Sequence, residues 1–493
     1  MIPDHQLCYA AIKSRDARFD GHFFTAVLTT GIYCRPICPA ITPRSENVRF
    51  FISASGAEAA GFRPCLRCRP EASPGTPDWQ APSEIVSRAL RLISEGFLDQ
   101  AGIATLAQRL HIGTRHLSRL FIKQLGAPPS AIAQTRRIHF AKQLIDETNL
   151  PMSEIAFCAG FSSIRRFNAA MRGAYDRSPT ELRRVENSGH SGLNELNLQL
   201  KLSYRPPFDW TALLEFLRNR AIPGVELVEK DRYRRTVKIE DVVGVIEVRF
   251  IEGQQHVLLS VPPYLSRSLM KIAERMRTLF DLRADPLVIT NHLRQDEKLA
   301  GLVQVYPGLR LPGAWDGFEI AVRAILGQQV SIKAANTLAG RLVKAYGDPL
   351  QIGEDVGLAY LFPGPEQLAE ASLSEIGLTP GRAEAIRTLA RAVLDGELVF
   401  STAIRLEEII ECLTALPGLG PWTAHYIAMR AFSEPDAFPA GDLGLRRAAA
   451  ETETAMLTES QLRQRAEAWR PWRAYAAIYL WQHYSSFKKE GRK

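Results

Sequence analysis

Four of the seven cysteines in this chain fall in two close pairs, Cys34-Arg-Pro-Ile-Cys38 and Cys65-Leu-Arg-Cys68. Such C-x3-C and C-x2-C pairs, separated by 26 residues, suit tetrahedral thiolate coordination of one Zn2+. The N-terminus, MIPDHQLCYA, has neither a basic start nor an apolar run, so no secretory signal is expected, and disulfides suit these cysteines less well. The plain role for such a cluster is to hold together a module of about 70 residues, which makes a poor core alone. A second stretch with chemical content is Leu416-Pro-Gly-Leu-Gly-Pro-Trp-Thr-Ala-His-Tyr426. A Gly-x-Gly hairpin that opens a helix presents backbone N–H groups to a phosphate without positive side chains. By itself Pro-Gly-x-Gly is also a common turn.

The elements that must position these residues follow from charge and periodicity. At 493 residues, with 46% hydrophobic and 23% charged, the chain has the composition of a folded protein of about three or four domains. No apolar run approaches the roughly 18 residues of a membrane span, and the expected location is cytoplasmic, at the bacterial nucleoid. The net charge is +8, and its distribution is uneven. Residues 1–104 balance at +1, residues 105–185 at +8 and residues 186–493 at −1. An excess confined to one window is the footprint of a nucleic-acid partner. That window holds two amphipathic helix–turn–helix patterns. In the first, residues 103–125, a turn at His111–Gly113 precedes a helix carrying Arg115 and Arg119. In the second, Met152–Tyr175, Ser153 is the expected cap, Gly160 turns the chain, and Arg165 and Arg166 lie on the second helix. Glu71–Ser83 and Glu186–Glu195 have the composition of linkers. Strand-like runs at Thr236–Ile239, Val245–Phe250 and His256–Val261 alternate with helical runs near Trp210–Arg220 and Ser266–Phe280, and beyond about Asn291 the pattern is helical.

Several of these runs resemble known families. Thr29-Thr-Gly-Ile-Tyr-Cys34-Arg-Pro-Ile-Cys38, Glu46-Asn-Val-Arg-Phe and Ala60-Gly-Phe-Arg-Pro-Cys65-Leu-Arg-Cys68 are similar to the N-terminal domain of Ada proteins. The resemblance implies that Cys34, Cys38, Cys65 and Cys68 hold zinc, and that Cys34 irreversibly accepts a methyl group from a DNA methylphosphotriester. Zinc keeps such a sulfur deprotonated and nucleophilic at neutral pH. Losing one thiolate charge would weaken repulsion from phosphates and tighten DNA binding. Arg35, Arg63 and Arg67 are the expected phosphate contacts, with Thr30 assisting, while Ile41 stands where family members commonly have Arg. The middle segment, with Ser153-Glu-Ile-Ala and Arg177-Ser-Pro-Thr-Glu-Leu-Arg, resembles the AraC-type DNA-binding domain.

The hairpin, followed by Phe438-Pro-Ala-Gly-Asp442-Leu-Gly, resembles helix-hairpin-helix base-excision glycosylases. Tyr204-Arg-Pro-Pro-Phe-Asp-Trp210, Ala324-Ile-Leu-Gly-Gln-Gln-Val-Ser and Pro471-Trp-Arg-Ala-Tyr narrow it to the AlkA type. That likeness implies Asp442 as the catalytic carboxylate, Gly418 and Gly420 as phosphate-binding residues, and Gln329 as the wedge that fills the gap left by a flipped base. Trp422, Tyr426, Trp481 and Phe216 are the implied base-binding rings, which would favour cationic alkylated purines. No Lys occurs in Gly420–Tyr426, so a monofunctional glycosylase of the DNA-3-methyladenine glycosylase II type is expected. Cys412 is the single cysteine after Cys158, which leaves no ligands for an iron–sulfur cluster, and no Pro-Cys-His-Arg methyltransferase motif occurs.

The expected fold is therefore multidomain: an Ada-like zinc-bound α+β module at 1–75, an all-α AraC-type double helix-turn-helix at 80–187, a small α+β domain at 195–290 and an all-α helix-hairpin-helix glycosylase domain at 291–493. The expected function joins excision of alkylated purines to methylation-activated transcription. Double-stranded DNA and RNA polymerase are the expected partners, and a monovalent cation at the hairpin is a further expectation. The alternative is a DNA-binding regulator whose glycosylase portion is weak or inactive.

Overall fold

The computed structural model describes residues 4–74, 83–186, 197–350, 357–400, 404–450 and 455–490. It falls into two compact units, one of Met1–Pro206, Val248–Glu274 and Leu282–Ala284, the other of Pro207–Glu247, Arg275–Asp281 and Asp285–Lys493. Among the described residues no helix is long and apolar enough to cross a membrane.

The first unit opens with helix α1 (His5–Ser14), whose first turn is capped by Asp4 accepting the N–H of Gln6. Strands β1 (Phe24–Val27), β2 (Ile32–Cys34), β3 (Val48–Phe51) and β4 (Arg63–Pro64) form a sheet in the order β3-β1-β2-β4. Alternation along the strands divides the apolar side chains between the two faces. Phe23, Val48 and Phe50 meet Cys8, Ala11 and Ile12 of α1. Phe24, Ala26 and Tyr33 meet Ala54 and Ala57 of helix α2 (Ala54–Ala59). The small module thus has two apolar clusters, one on each side of the sheet that carries Cys34.

The basic window folds into α3 (Ile103–Arg109), α4 (Thr114–Leu125), α5 (Pro129–Glu147), α6 (Met152–Cys158) and α7 (Ile164–Tyr175). Both helix–turn–helix copies form where the periodicity indicates. The first turns at His111 with φ 56°, the second at Gly160 with φ 77°. The positive φ favours glycine at 160, and a Cβ there would make a tight contact of 3.3 Å with the Asp99 carboxyl. Ser153 is not the cap expected: Pro151 occupies the cap position of α6, and the serine that caps is Ser163, accepting the N–H of Arg166 at the start of α7. Helix α5, 19 residues long, joins the copies and is marked by no motif.

The first unit is not a string of separate modules. Ser53 Oγ donates to the Leu125 carbonyl at 2.7 Å. The Tyr33 hydroxyl donates to Glu58 at 2.8 Å and meets His139 Nε2 at 3.0 Å, while Thr135 donates to the other Glu58 oxygen at 2.5 Å. The linker expected from Glu71 begins later than its composition suggests. The Glu71 side chain is 1% exposed, paired with Arg69 at 3.3 Å and with Lys142 at 3.8 Å, and neighbouring cations make its burial tolerable. Residues 75–82 of that linker and 187–195 of the second lie outside the described residues.

Strands β5 (Leu198–Ser203), β6 (Glu226–Val228), β7 (Arg232–Ile239), β8 (Val242–Phe250) and β9 (His256–Val261) form a second sheet in the order β5-β9-β8-β7-β6. In the first unit Arg205, 1% exposed, donates to the carbonyls of Asp20 and Arg283, each at 2.9 Å.

The second unit is otherwise helical. Helix α8 (Trp210–Arg218) precedes α9 (Gly317–Leu326), α10 (Ile332–Tyr346), α11 (Pro380–Leu394), α12 (Leu406–Thr414), α13 (Pro421–Ala431), α14 (Leu443–Ala448) and α15 (Arg473–Glu490). Ala474 to Leu480 of α15 are all buried, so this helix packs on every side along that stretch. The hairpin between α12 and α13 turns at Gly418, φ 86°, where a Cβ would sit 2.7 Å from Cβ of Ala385 on α11. That position demands glycine on both counts.

Candidate functional site

The cysteine cluster is assembled from two chain segments. Cys34 ends β2 opposite Thr25, Cys38 follows a turn closed by its N–H to the Arg35 carbonyl at 3.1 Å, and the Cys65 N–H donates to the Tyr33 carbonyl at 2.9 Å. The four Sγ atoms lie within 4.8 Å of one another. Zn–S bonds of about 2.3 Å in a tetrahedron put sulfurs about 3.8 Å apart, so the donor set and its spacing fit one Zn2+. Hydrogen bonds among the sulfurs pull Cys38 down to about 7 and Cys65 lower, and push Cys34 and Cys68 up. Four such sulfurs cannot all ionise against one another's charge, and a central divalent cation removes that conflict. Cys65 and Cys68 are buried, while Cys34 and Cys38 are half-buried and face outward more.

The arginines around the cluster differ in role. Arg35 is not free for phosphate as expected: its guanidinium is paired with buried Asp20 (Nε to Oδ1 2.9 Å) and donates to the Cys68 carbonyl at 3.3 Å. Its backbone N–H donates to Cys68 Sγ at 3.3 Å, so the residue organises the cluster from within. Arg63 is exposed and pairs with Asp176 at 3.1 Å. Arg67 and Thr30 are exposed, and Ile41 is 96% exposed.

In the helix–turn–helix pair, α4 buries Leu117, Phe121 and Leu125, and α7 buries Phe167, Met171 and Tyr175. The two buried stripes have the same i, i+4, i+8 spacing, which leaves Arg115 and Arg165 at matching exposed positions, with His116 matched to Arg166. Arg119 is exposed one turn on.

Asp442 lines a cavity of about 240 Å³ in the second unit, together with Trp422, Tyr426, Trp481, Arg220, Arg323 and Asn336. It caps α14, its Oδ1 accepting the Leu445 N–H at 2.9 Å. Both indoles are turned to it: Trp422 Nε1 donates to Oδ2 at 3.0 Å and Trp481 Nε1 to Oδ1 at 2.9 Å. Trp422 and Tyr426, one turn apart on α13, stack with centroids 5.5 Å apart at 8°, and Trp481 meets Tyr426 edge-on at 6.3 Å. Three of the four expected rings therefore share one wall with the carboxylate.

Phe216 does not join them. The Arg220 guanidinium covers its ring at 3.8 Å and Arg430 approaches at 5.0 Å, so cations occupy the surface expected for a base. Phe216 instead lines a neighbouring cavity of about 90 Å³. The arginines are the feature that sequence reasoning missed. Arg430 donates to the Tyr426 hydroxyl at 2.9 Å. Burial acts to raise the Tyr426 phenol, yet Arg430, Arg220 and Arg323 together hold it below the ordinary value. Arg323 is balanced by Glu226 and Glu319, each at 3.2 Å. The field at the cavity is thus set by guanidiniums as well as rings, which qualifies the expected preference for cationic bases. A Glu319/Arg323 pair at i, i+4 inside the otherwise apolar Gly317–Leu326 is the signal that could have revealed it.

Gln329 is exposed between α9 and α10 with φ 55°, a left-handed conformation that costs a non-glycine residue roughly 1–2 kcal/mol. Gly420 caps α13 in an extended conformation with Pro421 at the first helical position. Beside the hairpin, His425 Nδ1 accepts the Phe438 N–H at 3.2 Å, and burial drives this imidazole down to about 4.

Four families match the chain in order. They are the metal binding domain of Ada at 7–71, a helix-turn-helix domain at 106–185, the AlkA N-terminal domain at 199–316 and the HhH-GPD superfamily base excision DNA repair protein at 322–474. This is a base-excision fold of the helix-hairpin-helix class, joined to a zinc module and a helix-turn-helix domain. The probable bifunctional transcriptional activator/DNA repair enzyme AlkA of Mycobacterium tuberculosis H37Rv is 43% identical over 486 residues, 98% of this chain and 97% of that protein. DNA-3-methyladenine glycosylase 2 of Escherichia coli K12 is 34% identical over 283 residues, 57% of this chain and 95% of its own. Among solved structures, the 3-methyladenine DNA-glycosylase of Archaeoglobus fulgidus superposes with a TM-score of 0.52 at 25% identity, over 58% of this chain and 98% of that one. The chain belongs to the family of AlkA-type bifunctional transcriptional activator/DNA repair enzymes.

Proposed function

We propose that the protein removes alkylated purines, 3-methyladenine among them, from double-stranded DNA by hydrolysis of the N-glycosidic bond, and that it also activates transcription when Cys34 takes a methyl group from a DNA methylphosphotriester. The observation that carries the first activity is a carboxylate that is held by two indole N–H groups and lines a cavity with Trp422, Tyr426 and Trp481. In the reaction the C1′–N bond breaks and its electron pair leaves with the base. The sugar becomes oxocarbenium-like, and the fixed Asp442 anion stabilises that charge. Water then forms the C1′–O bond and gives up a proton to solvent, while the cationic purine leaves as the neutral base. Three hydrogen bonds on the Asp442 oxygens direct it to act as a preorganised anion. A methylated purine is already a good leaving group, so no strong acid is needed to expel it. Trp422, Tyr426 and Trp481 offer faces and edges to the extruded base, Gln329 fills its place in the duplex, and Gly418 and Gly420 bring hairpin N–H groups to a phosphate. Without a lysine in Gly420–Tyr426 the product is an abasic site on an uncut strand.

In the second activity the Cys34 sulfur attacks the methyl carbon. The S–C bond forms, the C–O bond breaks, and the phosphodiester leaves with its negative charge. Zinc, held by Cys34, Cys38, Cys65 and Cys68, supplies the deprotonated state of the sulfurs. Arg67, Arg63 and Thr30 grip the phosphate, and Arg115, Arg119, Arg165 and Arg166 contact the recognition site. RNA polymerase is the protein partner of this role, the nucleoid its place of work, and the hairpin carbonyls a site for a monovalent cation.

Two arms test the reading on the full chain. Wild-type protein releases methylated purines from alkylated duplex DNA, and Asp442→Asn releases them at least about 100-fold more slowly. Intact mass after exposure to methylphosphotriester DNA rises by one methyl, and Cys34→Ala stays unchanged. Absence of base release by the wild type leaves a DNA-binding regulator alone, and an unmethylated wild type leaves a structural zinc site.

A further inference from the structure

We propose that Gln328 is a positioning residue that ties the wedge loop to the DNA-gripping hairpin, so that engaging a phosphate and extruding a base become one motion. The inference rests on the glycosylase reading above and concerns a residue with no part in it so far. Gln328 sits between the end of α9 and exposed Gln329. Its Nε2 donates to the Gly418 carbonyl at 2.9 Å and to Thr423 Oγ1 at 3.0 Å, so both amide hydrogens are spent on the hairpin and the first turn of α13. Its backbone carbonyl accepts from the guanidinium of Arg382 on α11, and its backbone N–H donates to the Ile325 carbonyl at 3.2 Å. On the far side of Gln329, Ser331 Oγ accepts the Ala334 N–H at 3.2 Å and starts α10. The residue proposed as the wedge is therefore held in its left-handed conformation, φ 55°, between two fixed points, and one of them is the hairpin itself.

The chemistry is specific to the amide. A bridge between a carbonyl and a hydroxyl needs two hydrogens on one nitrogen. Leucine has the size without the donors, and glutamate would set a carboxylate against the Gly418 carbonyl. Cut from the hairpin, Gln329 would still be present but no longer aimed. Extrusion of a paired base would then suffer, while the chemical step at Asp442 would not.

The test is single-turnover release of 7-methylguanine by the full chain from two duplexes. In one the lesion is paired with cytosine. In the other it faces a tetrahydrofuran abasic analogue, where extrusion is easier. Gln328→Leu is expected to be about 10- to 100-fold slower than wild type on the paired duplex, as loss of two hydrogen bonds implies, and within about threefold on the other. Thr423→Val, which removes one acceptor, gives a smaller loss with the same pattern and serves if the leucine variant does not fold. Equal rates for variant and wild type on the paired duplex overturn the proposal. So does an equal loss on both duplexes, which makes Gln328 a support of the site at large. A wild type inactive on both duplexes overturns the glycosylase reading itself and this inference with it.

Discussion

Asp442 differs from a surface carboxylate in that two indoles and a backbone N–H hold its oxygens at 2.9–3.0 Å. Hydrogen bonds to a charged group are worth about 1.5–3 kcal/mol. Trp422→Phe and Trp481→Phe keep a ring in place and remove one donor each, so each is expected to lower kcat by about 10- to 100-fold with a smaller change in KM. Steady-state kinetics on alkylated DNA checks this, and a change confined to KM would make the rings stacking surfaces alone. The Asp442 position was legible in the sequence through the hairpin and the spacing behind it. The indole donors were not, because a tryptophan's type says that it packs, while where its N–H points is fixed by the meeting of α13 and α15. Arg35 shows the same limit: its place beside Cys34 suggested phosphate, and Asp20, distant in sequence, claims it.

At the scale of elements, short spacings were readable and long-range partners were not. Both helix–turn–helix copies, the cysteine pairs and three strands of the second sheet follow from local pattern, since each is fixed by neighbours two to four residues apart. The contacts of β2 and α2 with α5 are not local. Glu58 receives Thr135 and His139 across that seam and Tyr33 on its own side, and despite burial, which acts to raise it, its hydrogen bonds hold it below the ordinary carboxyl value. Glu58→Ala leaves buried donors without an acceptor and is expected to lower stability by about 2–4 kcal/mol in denaturant unfolding. An unchanged midpoint would mean that the seam opens freely. In the second unit, His425 is held neutral, its value down to about 4 from an ordinary 6.5. An unfolded chain takes up this proton as pH falls through about 6.5, whereas the folded one resists until about 4. The stabilisation is full above 6.5 and is lost as pH falls towards 4, at most ~3 kcal/mol. His425→Asn, which keeps an acceptor for Phe438, should flatten that dependence. Parallel pH curves for the two proteins would remove His425 as the cause.

At the scale of the whole molecule, the net charge of +8 belongs to residues 105–185, and the other segments meet DNA with little net charge. Salt should therefore act mainly through the paired helices. Replacing Arg115, Arg119, Arg165 and Arg166 with Ala should reduce the slope of log K against log salt by up to about 3–4, at roughly 0.9 per phosphate contact. An unchanged slope would move the DNA footprint elsewhere. The central claim is that one chain both repairs and senses methylation. Its most direct test is mass spectrometry of a single reaction of the full chain with methylated duplex DNA. The expected result is many free methylated purines per protein and a protein heavier by a single methyl on Cys34. DNA that keeps all its methylated bases, or a protein of unaltered mass, would contradict it.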